Sequence, residues 1–422
     1  MEKPLRKDIC KNEIQNITPE LLEYFQNQEY LDLHNVNLNN SFGKIPFSKD
    51  LSFLSLDNNS LTNWPEEIVH LRNLTFLKIS NNSLKSIPPE IKKLQRLETL
   101  FLDNNHLLNV TKEISCLRNL IQLSLKNNHL RCIPREIFSL PELKTIYLDN
   151  NRITSIPQEI SDLSKIKYLS FRNNEIEIVP QQIGDLYECT VLDIAQNKIR
   201  QLPEEIKNLE KLHSLILEDN QFAFLTEDIC GLHSLFSLCI GNNNIQHLPN
   251  KIVELQNLSD LDIKHNKLRS IPEELGILKK LYSLNIAQNE LSQIPQEITN
   301  LQELQYLNCH DNNLTSLPEE IGKLKKLRFL DIAKNNIKRL PRSLSQLKGL
   351  THLSIDVKNI EDFLENHFGE RDTFSGESTL RPISIDVYDK NQICRIPENF
   401  STFGKDFVCK MYKEGGCEII DL

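Results

Sequence analysis

The chain lacks any long apolar run. No stretch approaches the ~20 apolar residues that a bilayer-spanning helix needs. The first sixteen residues, MEKPLRKDICKNEIQN, lack the apolar core of a secretory signal. Paired cysteine clusters at the two ends, the usual mark of a disulfide-stapled secreted chain, are missing as well. Together these absences lead to the expectation of a cytoplasmic protein that is not held in a membrane. Positive charge is also short: 49 Lys and Arg stand against 58 Asp and Glu, a net charge of −9. A general nucleic-acid binder needs the opposite balance. Glycine is scarce, and five of the twelve fall close to the C-terminal end, at 369, 376, 404, 415 and 416.

Motifs of catalysis are missing too. There is no Walker loop, no H-E-x-x-H and no kinase set. His367, Cys394, Cys409 and Cys417 follow no zinc spacing. The expectation is a non-enzymatic chain with no cofactor and no metal. Cys189 and Cys309 stand where other copies of the repeat carry Leu or Ile, so they are expected in the core. Sequons such as Asn73-Leu74-Thr75 are read as by-products of an Asn-rich repeat.

What is present is a strict period. One Asn recurs at a constant interval, at Asn59, Asn82, Asn105, Asn128, Asn151, Asn174, Asn197, Asn220, Asn243, Asn266, Asn289, Asn312 and Asn335. It is set each time in L-x-L-x-x-N-x-L, and most copies continue with I/L-P-x-E-I. The L-x-L alternation predicts a short strand with one buried face. The Pro fixes φ and cannot donate to a ladder, so it starts the return path. The E-I-x-x-L part predicts a short helical or 3-10 stretch on the outer side. Two copies replace the Pro by Thr111 and Thr226, which predicts looser outer turns there.

An Asn side chain carries one acceptor and two donors. A column of them is therefore read as a buried ladder that serves backbone groups orphaned where each strand ends. Val36 and Lys358 take the Asn position at the two ends of the array. Residues 1–28 are read as an N-terminal cap, with Thr18-Pro19 opening a helix. Residues 29–360 hold about fifteen repeats. Residues 361–422 are read as a C-terminal cap: a loop, a divergent last repeat at 383–400, then a tail.

The outward strand positions vary from copy to copy and are where a partner is expected. The residue between the two apolar positions and the two residues before the Asn supply eleven acids: Asp32, Asp57, Asp103, Asp149, Asp193, Glu218, Asp219, Asp262, Asp311, Asp331 and Asp356. Against them stand five bases, Lys78, Lys126, Arg172, Lys264 and Lys334. This surplus would steer a basic partner, or simply keep an open sheet soluble. Phe101, Tyr147, Tyr168, Val191, Ile216 and Cys239 are outward apolar residues, the usual composition of an interface hot spot. Arg172 lies beside Tyr168 and is expected to meet a partner carboxylate. The expected partner-binding set is Phe101, Tyr147, Tyr168, Arg172, Asp193, Ile216, Glu218, Cys239, Asp262 and Lys264. A second column, Tyr30, Phe53, Phe76, Tyr306 and Phe329, is read as packing along the rim.

The motif L-x-x-L-x-L-x-x-N-x-L with its P-x-E-I ending resembles the leucine-rich repeat family over residues 29–360. The repeat length is similar to that of the Ras-group intracellular subclass. The resemblance implies an α/β solenoid, a curved horseshoe with a parallel β-sheet on the concave face and short helical or 3-10 turns on the convex face. It also implies a monomeric scaffold or adaptor that binds proteins through the concave face, in small GTPase or phosphatase signalling. The partner would carry a basic or mixed basic and apolar face. Two alternatives stand beside it: a pathogen effector that binds a host protein, and a regulatory subunit of an enzyme carried on another chain.

Overall fold

A computed structural model describes residues 19–36, 38, 43, 45–356 and 359, together with the backbone of strands 383–388, 407–413 and 416–421. Thr18, Lys358, His367, Cys394 and the loop read at 370–379 lie outside the described residues. The chain divides into two compact units, Met1–Leu212 and His213–Leu422.

In the first unit, helix α1 (Pro19–Gln26) precedes eight strands, and its Phe25 is fully buried. The strands are β1 (Tyr30–Asp32), β2 (Phe53–Ser55), β3 (Phe76–Lys78), β4 (Thr99–Phe101), β5 (Gln122–Ser124), β6 (Thr145–Tyr147), β7 (Tyr168–Ser170) and β8 (Val191–Asp193). Each pairs in parallel with the next, and every residue faces its equivalent in the following copy, as in Leu54↔Leu77 and Leu169↔Leu192. Three-residue strands suffice because the middle Leu and the residue after the strand both point inward. Leu54, Leu56, Leu77 and Ile79 are fully buried, and the pattern repeats in every copy.

The second unit continues the same scheme. Its strands are β9 (Ser214–Ile216), β10 (Ser237–Cys239), β11 (Asp260–Asp262), β12 (Ser283–Asn285), β13 (Tyr306–Asn308), β14 (Phe329–Asp331) and β15 (His352–Asp356). β16 (Ile383–Tyr388) and β17 (Phe407–Lys413) extend the sheet in parallel, and β18 (Gly416–Asp421) returns antiparallel to β17. The sequence reading expects only a tail over 403–422. The alternation in FVCKMYK and the glycines at 415 and 416 are a hairpin signal that the period obscures. Lys413 pairs with Gly416, which leaves a two-residue connection.

On the outer side the returning segments are 3-10 turns rather than α-helices. Glu204–Asn208 is representative: Pro203 is extended, and Ile206 N–H donates to Pro203 C=O at 3.2 Å. Leu209 N–H then donates to Ile206 C=O at 3.2 Å. Five residues close such i→i+3 bonds but are too few for an α-helix to pass its nucleation cost. The copies without Pro do not depart from this. Thr111 (φ −63°, ψ 144°) and Thr226 (φ −71°, ψ 150°) hold the extended conformation that Pro takes elsewhere, and each is followed by a five-residue turn.

The Asn column is a ladder of buried rungs. Asn105 Oδ1 accepts the Leu84 N–H at 3.0 Å, and its Nδ2 donates to the Ile79 carbonyl at 2.9 Å. The same Nδ2 also reaches Leu102 and Asp103 carbonyls in its own repeat. One side chain thus serves an N–H and a C=O of the preceding copy. At the N-terminal end, Val36 N–H donates to Asn59 Oδ1 at 3.2 Å. Near β15, beyond Asn335, other side chains bond the preceding copy in a different pattern. Asn359 is buried and donates to the Ile337 carbonyl at 3.2 Å, and the Asp356 carboxylate accepts the Lys334 and Asn335 N–H groups.

The residue before each rung has positive φ, from Asn35 (61°) and Asn58 (55°) through Gln288 (51°) to Lys334 (55°). Only glycine, and next Asn or Asp, enters this region cheaply. That explains why Asn so often precedes the rung, and it removes this column from the freely chosen surface.

Candidate partner-binding face

The strand geometry leaves three outward columns: the first strand residue, the third, and the fifth residue counted from the strand start. Strand pairing corrects the sequence reading at two residues. Tyr168 and Val191 open β7 and β8, so they stand in the column of Phe53 and Phe76 and not with Phe101 and Tyr147. Tyr147 is opposite Ser170. Its ring still meets Tyr168 diagonally, with centroids 4.9 Å apart.

In the first unit the rim reading holds at Tyr30, Phe53 and Phe76, whose rings stack with centroids 3.9 and 4.4 Å apart. Phe101 meets Phe76 edge-on at 5.6 Å. Beyond it a run of alternating charges crosses the sheet, one per strand: Asp57, Lys78, Asp103, Lys126, Asp149, Arg172 and Asp193. Lys78 pairs with Asp57. Lys126 Nζ lies 2.9 Å from Asp149 and 4.0 Å from the Tyr147 ring centroid. Burial works against the Lys126 ammonium, but the hydrogen bond and charge of Asp149 outweigh it and hold its pKa above the ordinary lysine value. Arg172 Nε donates to Asp193 Oδ2 at 2.9 Å. The carboxylate expected from a partner is therefore supplied by the chain itself.

Most acids of the face also do backbone work. Where each strand ends, the fifth-position N–H loses its ladder acceptor. Asp57 accepts the Ser80 N–H at 2.7 Å, Asp103 that of Lys126 at 2.8 Å and Asp149 that of Arg172 at 3.2 Å. Elsewhere a third-position side chain caps its own repeat: Asp193 to Ala195, Asp262 to Lys264, Asn308 to His310 and Asp331 to Ala333. Either solution satisfies a group that is costly to leave bare. This is a reason for acidity that neither steering nor solubility supplies. A signal was present in the sequence: Asp at the fifth position in alternate copies, or Asx two residues before a fifth position.

Asp103 differs from its neighbours in having no cation of its own. Burial pushes its carboxyl above the usual range, although Ser124 and the Lys126 N–H pull the other way. A carboxyl raised in the folded state binds more protons there than in the unfolded chain, so its contribution to stability falls as pH rises through the folded pKa. Asp103→Asn keeps an oxygen for Ser124 and Lys126 but does not titrate. The substitution is expected to be more favourable at about pH 7 than at about pH 4. Urea unfolding at both values measures it, and an identical effect at both would show that Asp103 is not strained.

In the second unit Ile216 and Cys239 pack side by side on paired strands. Lys264 sits over Gly241: a Cβ there would lie 3.1 Å from Lys264 Cγ. The missing side chain lets the ammonium reach Asp262 at 3.1 Å and Glu218 at 3.6 Å, two strands away. Burial lowers the Lys264 pKa, but Asp262 and Glu218 together carry it above the ordinary value. Further along, His310 Nδ1 lies 3.2 Å from Asp331, and Tyr306 stacks on Phe329 at 4.3 Å.

Among the described cysteines, Cys189, Cys230 and Cys309 are buried, Cys116 and Cys239 are half-buried, and Cys132 is exposed. Cys189 and Cys309 are core residues, as the repeat predicts. Burial pushes Cys189 and Cys230 up to about 12 and Cys239 up to about 11, and raises Cys309 as well. None of these is a thiolate nucleophile near neutral pH. Among the described residues no group of three His, Cys, Asp or Glu is placed to hold a metal, and no helix is long and apolar enough to cross a membrane.

Comparison with known proteins agrees with this geometry. The family model described as leucine rich repeat matches residues 49–107, 95–153, 118–176 and 141–188. The model described as leucine-rich repeat region matches 220–311 and 292–367. No curated protein matches the chain at a significant level. Among solved structures, a leucine-rich repeat protein of Leptospira interrogans is 31% identical, with 89% of this chain and 100% of that one covered and a TM-score of 0.80. An internalin of Listeria monocytogenes (22% identity, 81% and 92% covered, TM-score 0.64) shares the fold. YopM of Yersinia enterocolitica does too, at 23% identity, with 82% of this chain and 75% of that one covered and a TM-score of 0.57.

Proposed function

This chain belongs to the leucine-rich repeat family, and from that premise we propose that it is a non-enzymatic scaffold or adaptor that binds a partner protein through the solvent face of its sheet. The observation that carries the proposal is the surface of β4 to β8. Phe101, Tyr147, Tyr168 and Val191 are half-buried there on the sheet, beside the paired charges Lys126–Asp149 and Arg172–Asp193. Apart from Asp103, a partner meeting this surface desolvates aromatic rings without having to neutralise stranded ions. That is the energetic pattern of a hot spot. Asp103, which has no cation of its own, favours a partner that adds a basic residue to its apolar ones.

Small GTPases and phosphatases are the first partners to try, because the intracellular subclass that the repeat resembles supplies scaffolds for them. A monomer acting in the cytoplasm is part of the same proposal. Site-specific photo-crosslinking tests it, with the reactive residue placed at Tyr147 or at Ile178. Ile178 is 75% exposed on the outer path, away from the strands. The expected result is a partner crosslinked from position 147 and not from 178. The reverse would move the binding site off the sheet. Phe101→Ser with Tyr147→Ser should also weaken binding of the identified partner at least ~10-fold. Unchanged affinity would exclude these residues.

A further inference from the structure

The second unit carries a cationic bay that the strand face does not account for. It lies where the chain enters β14 and β15, and has a volume of about 530 Å³ lined by Gln305, Lys325, Lys326, Arg328, Lys348 and Gly349. Three sequence positions per repeat, the second, third and fifth residues after the outer 3-10 turn, build the equivalent edge of every copy. Only in the copy ending at Arg328 are all three basic: Lys325, Lys326 and Arg328. The next copy adds Lys348.

Neighbouring copies show why the bay is open. At the third residue after the turn other repeats place a side chain that bonds its counterpart in the preceding copy. Lys165 reaches Glu142 at 2.6 Å, Lys280 reaches Asn257 at 2.6 Å and Lys326 reaches Glu303 at 2.6 Å. After Lys326 the series meets Gly349. An added Cβ there would lie 3.3 Å from the Lys325 carbonyl oxygen and 3.4 Å from that of Leu327. The glycine omits the next rung and leaves a space with cationic walls. Glu303 offsets one of the four cations, and Lys325 is further engaged by Gln346 at 3.2 Å. A surplus of three positive charges remains, in a chain whose net charge is −9.

A solubilising surface mixes its signs, as this chain does along most of its edge. Four cations around an empty volume of ligand size do not fit that description. We propose that this bay is a binding site for a polyanion bearing two or more phosphate or sulfate groups. A single carboxylate would leave most of the positive charge unmet. Clustered tetrahedral oxyanions can engage the Arg328 fork and the lysine point charges together.

The test uses the full chain and two probes, sodium tripolyphosphate and a heparin-derived tetrasaccharide, with titration calorimetry at about 0.1 M and about 0.3 M salt. At least one probe is expected to bind with one-to-one stoichiometry, and affinity should fall as salt rises. Tripolyphosphate alone would identify phosphate as the natural group, and the tetrasaccharide alone would identify sulfate. Arg328→Gln with Lys348→Gln should lower affinity at least tenfold. Gly349→Asn, which restores the side chain found at Asn73, Asn119 and Asn257, should lower it about fivefold. Lys279→Gln with Lys280→Gln, on a nearby copy, should leave it within twofold. Circular-dichroism melting checks that each variant is folded. Failure of both probes to bind would overturn the proposal. So would equal losses in the Lys279/Lys280 and Arg328/Lys348 variants, which would mean diffuse attraction and not a site.

Discussion

Asn289→Ala is expected to lower stability by roughly 2–5 kcal/mol, the cost of leaving buried groups on both sides of a repeat junction without partners. Asn289 Oδ1 accepts the Leu268 N–H at 3.0 Å, and its Nδ2 donates to the Ile263 carbonyl at 3.1 Å. Nδ2 is also 3.1 Å from both the Ile286 and Ala287 carbonyls. Water cannot enter to replace these bonds, because Leu268, Ile263 and Ile286 are fully buried. Asn289→Asp provides the control for lost volume. It keeps an acceptor for Leu268 but turns a carboxylate toward three carbonyl oxygens, and should cost at least as much as Ala. Denaturant unfolding gives the total, and amide exchange at Leu268 gives the local effect, since that proton should lose its protection first. An unchanged midpoint in Asn289→Ala would remove the ladder from the forces that hold the repeats together.

The second large effect is expected at Gly276, on the outer turn Glu273–Ile277. A Cβ added there would lie 2.7 Å from the Glu297 carbonyl carbon and 2.9 Å from Glu297 Cβ, and closer still to the carbonyl oxygen. The obstacle is backbone, so no rotamer change relieves it. Gly276→Val must push the turn away from Gln296–Asn300, at a cost of about 3 kcal/mol or more, the upper part of the range for overpacked sites. Thr299, the same position one repeat later, is buried with its hydroxyl bonded to the Gln296 carbonyl at 2.8 Å. Thr299→Ala should therefore cost much less. Equal melting points for the two variants would show that the turns are free to separate.

These two residues mark how far the sequence can be read. Asn289 is readable because its role is the same in every copy, so the period exposes it. Strand register, the buried leucines and Cys189 and Cys309 follow from the same regularity. Gly276 is not readable. Its column also accepts Val69, Phe138, Lys207 and Thr299, and only the approach of the neighbouring turn decides which size fits. The candidate face is misread for a related reason. Acids such as Asp57 and Asp149 look like free surface until the N–H groups of Ser80 and Arg172 are seen to depend on them. Tyr168 falls in the wrong column because an aromatic residue at a three-residue strand reads alike in the first or third place. Gly241 gives no sign that Lys264 crosses it. The tail hairpin is hidden because the period ends before it and its strands carry no copy of the repeat.

The constant offset that the paired strands share up to β15 has a consequence for heredity. Any excision or duplication of one whole copy leaves the flanking copies facing each other in the register they already use, with rung, turn and cap intact. It also keeps the reading frame, because it removes or adds whole codons. Unequal recombination between copies can therefore lengthen or shorten the gene without inventing a new junction. An insertion of one residue inside the L-x-L strand itself displaces a leucine from the interior. Selection can thus act on the number of repeats as a unit of variation separate from the residues each repeat displays.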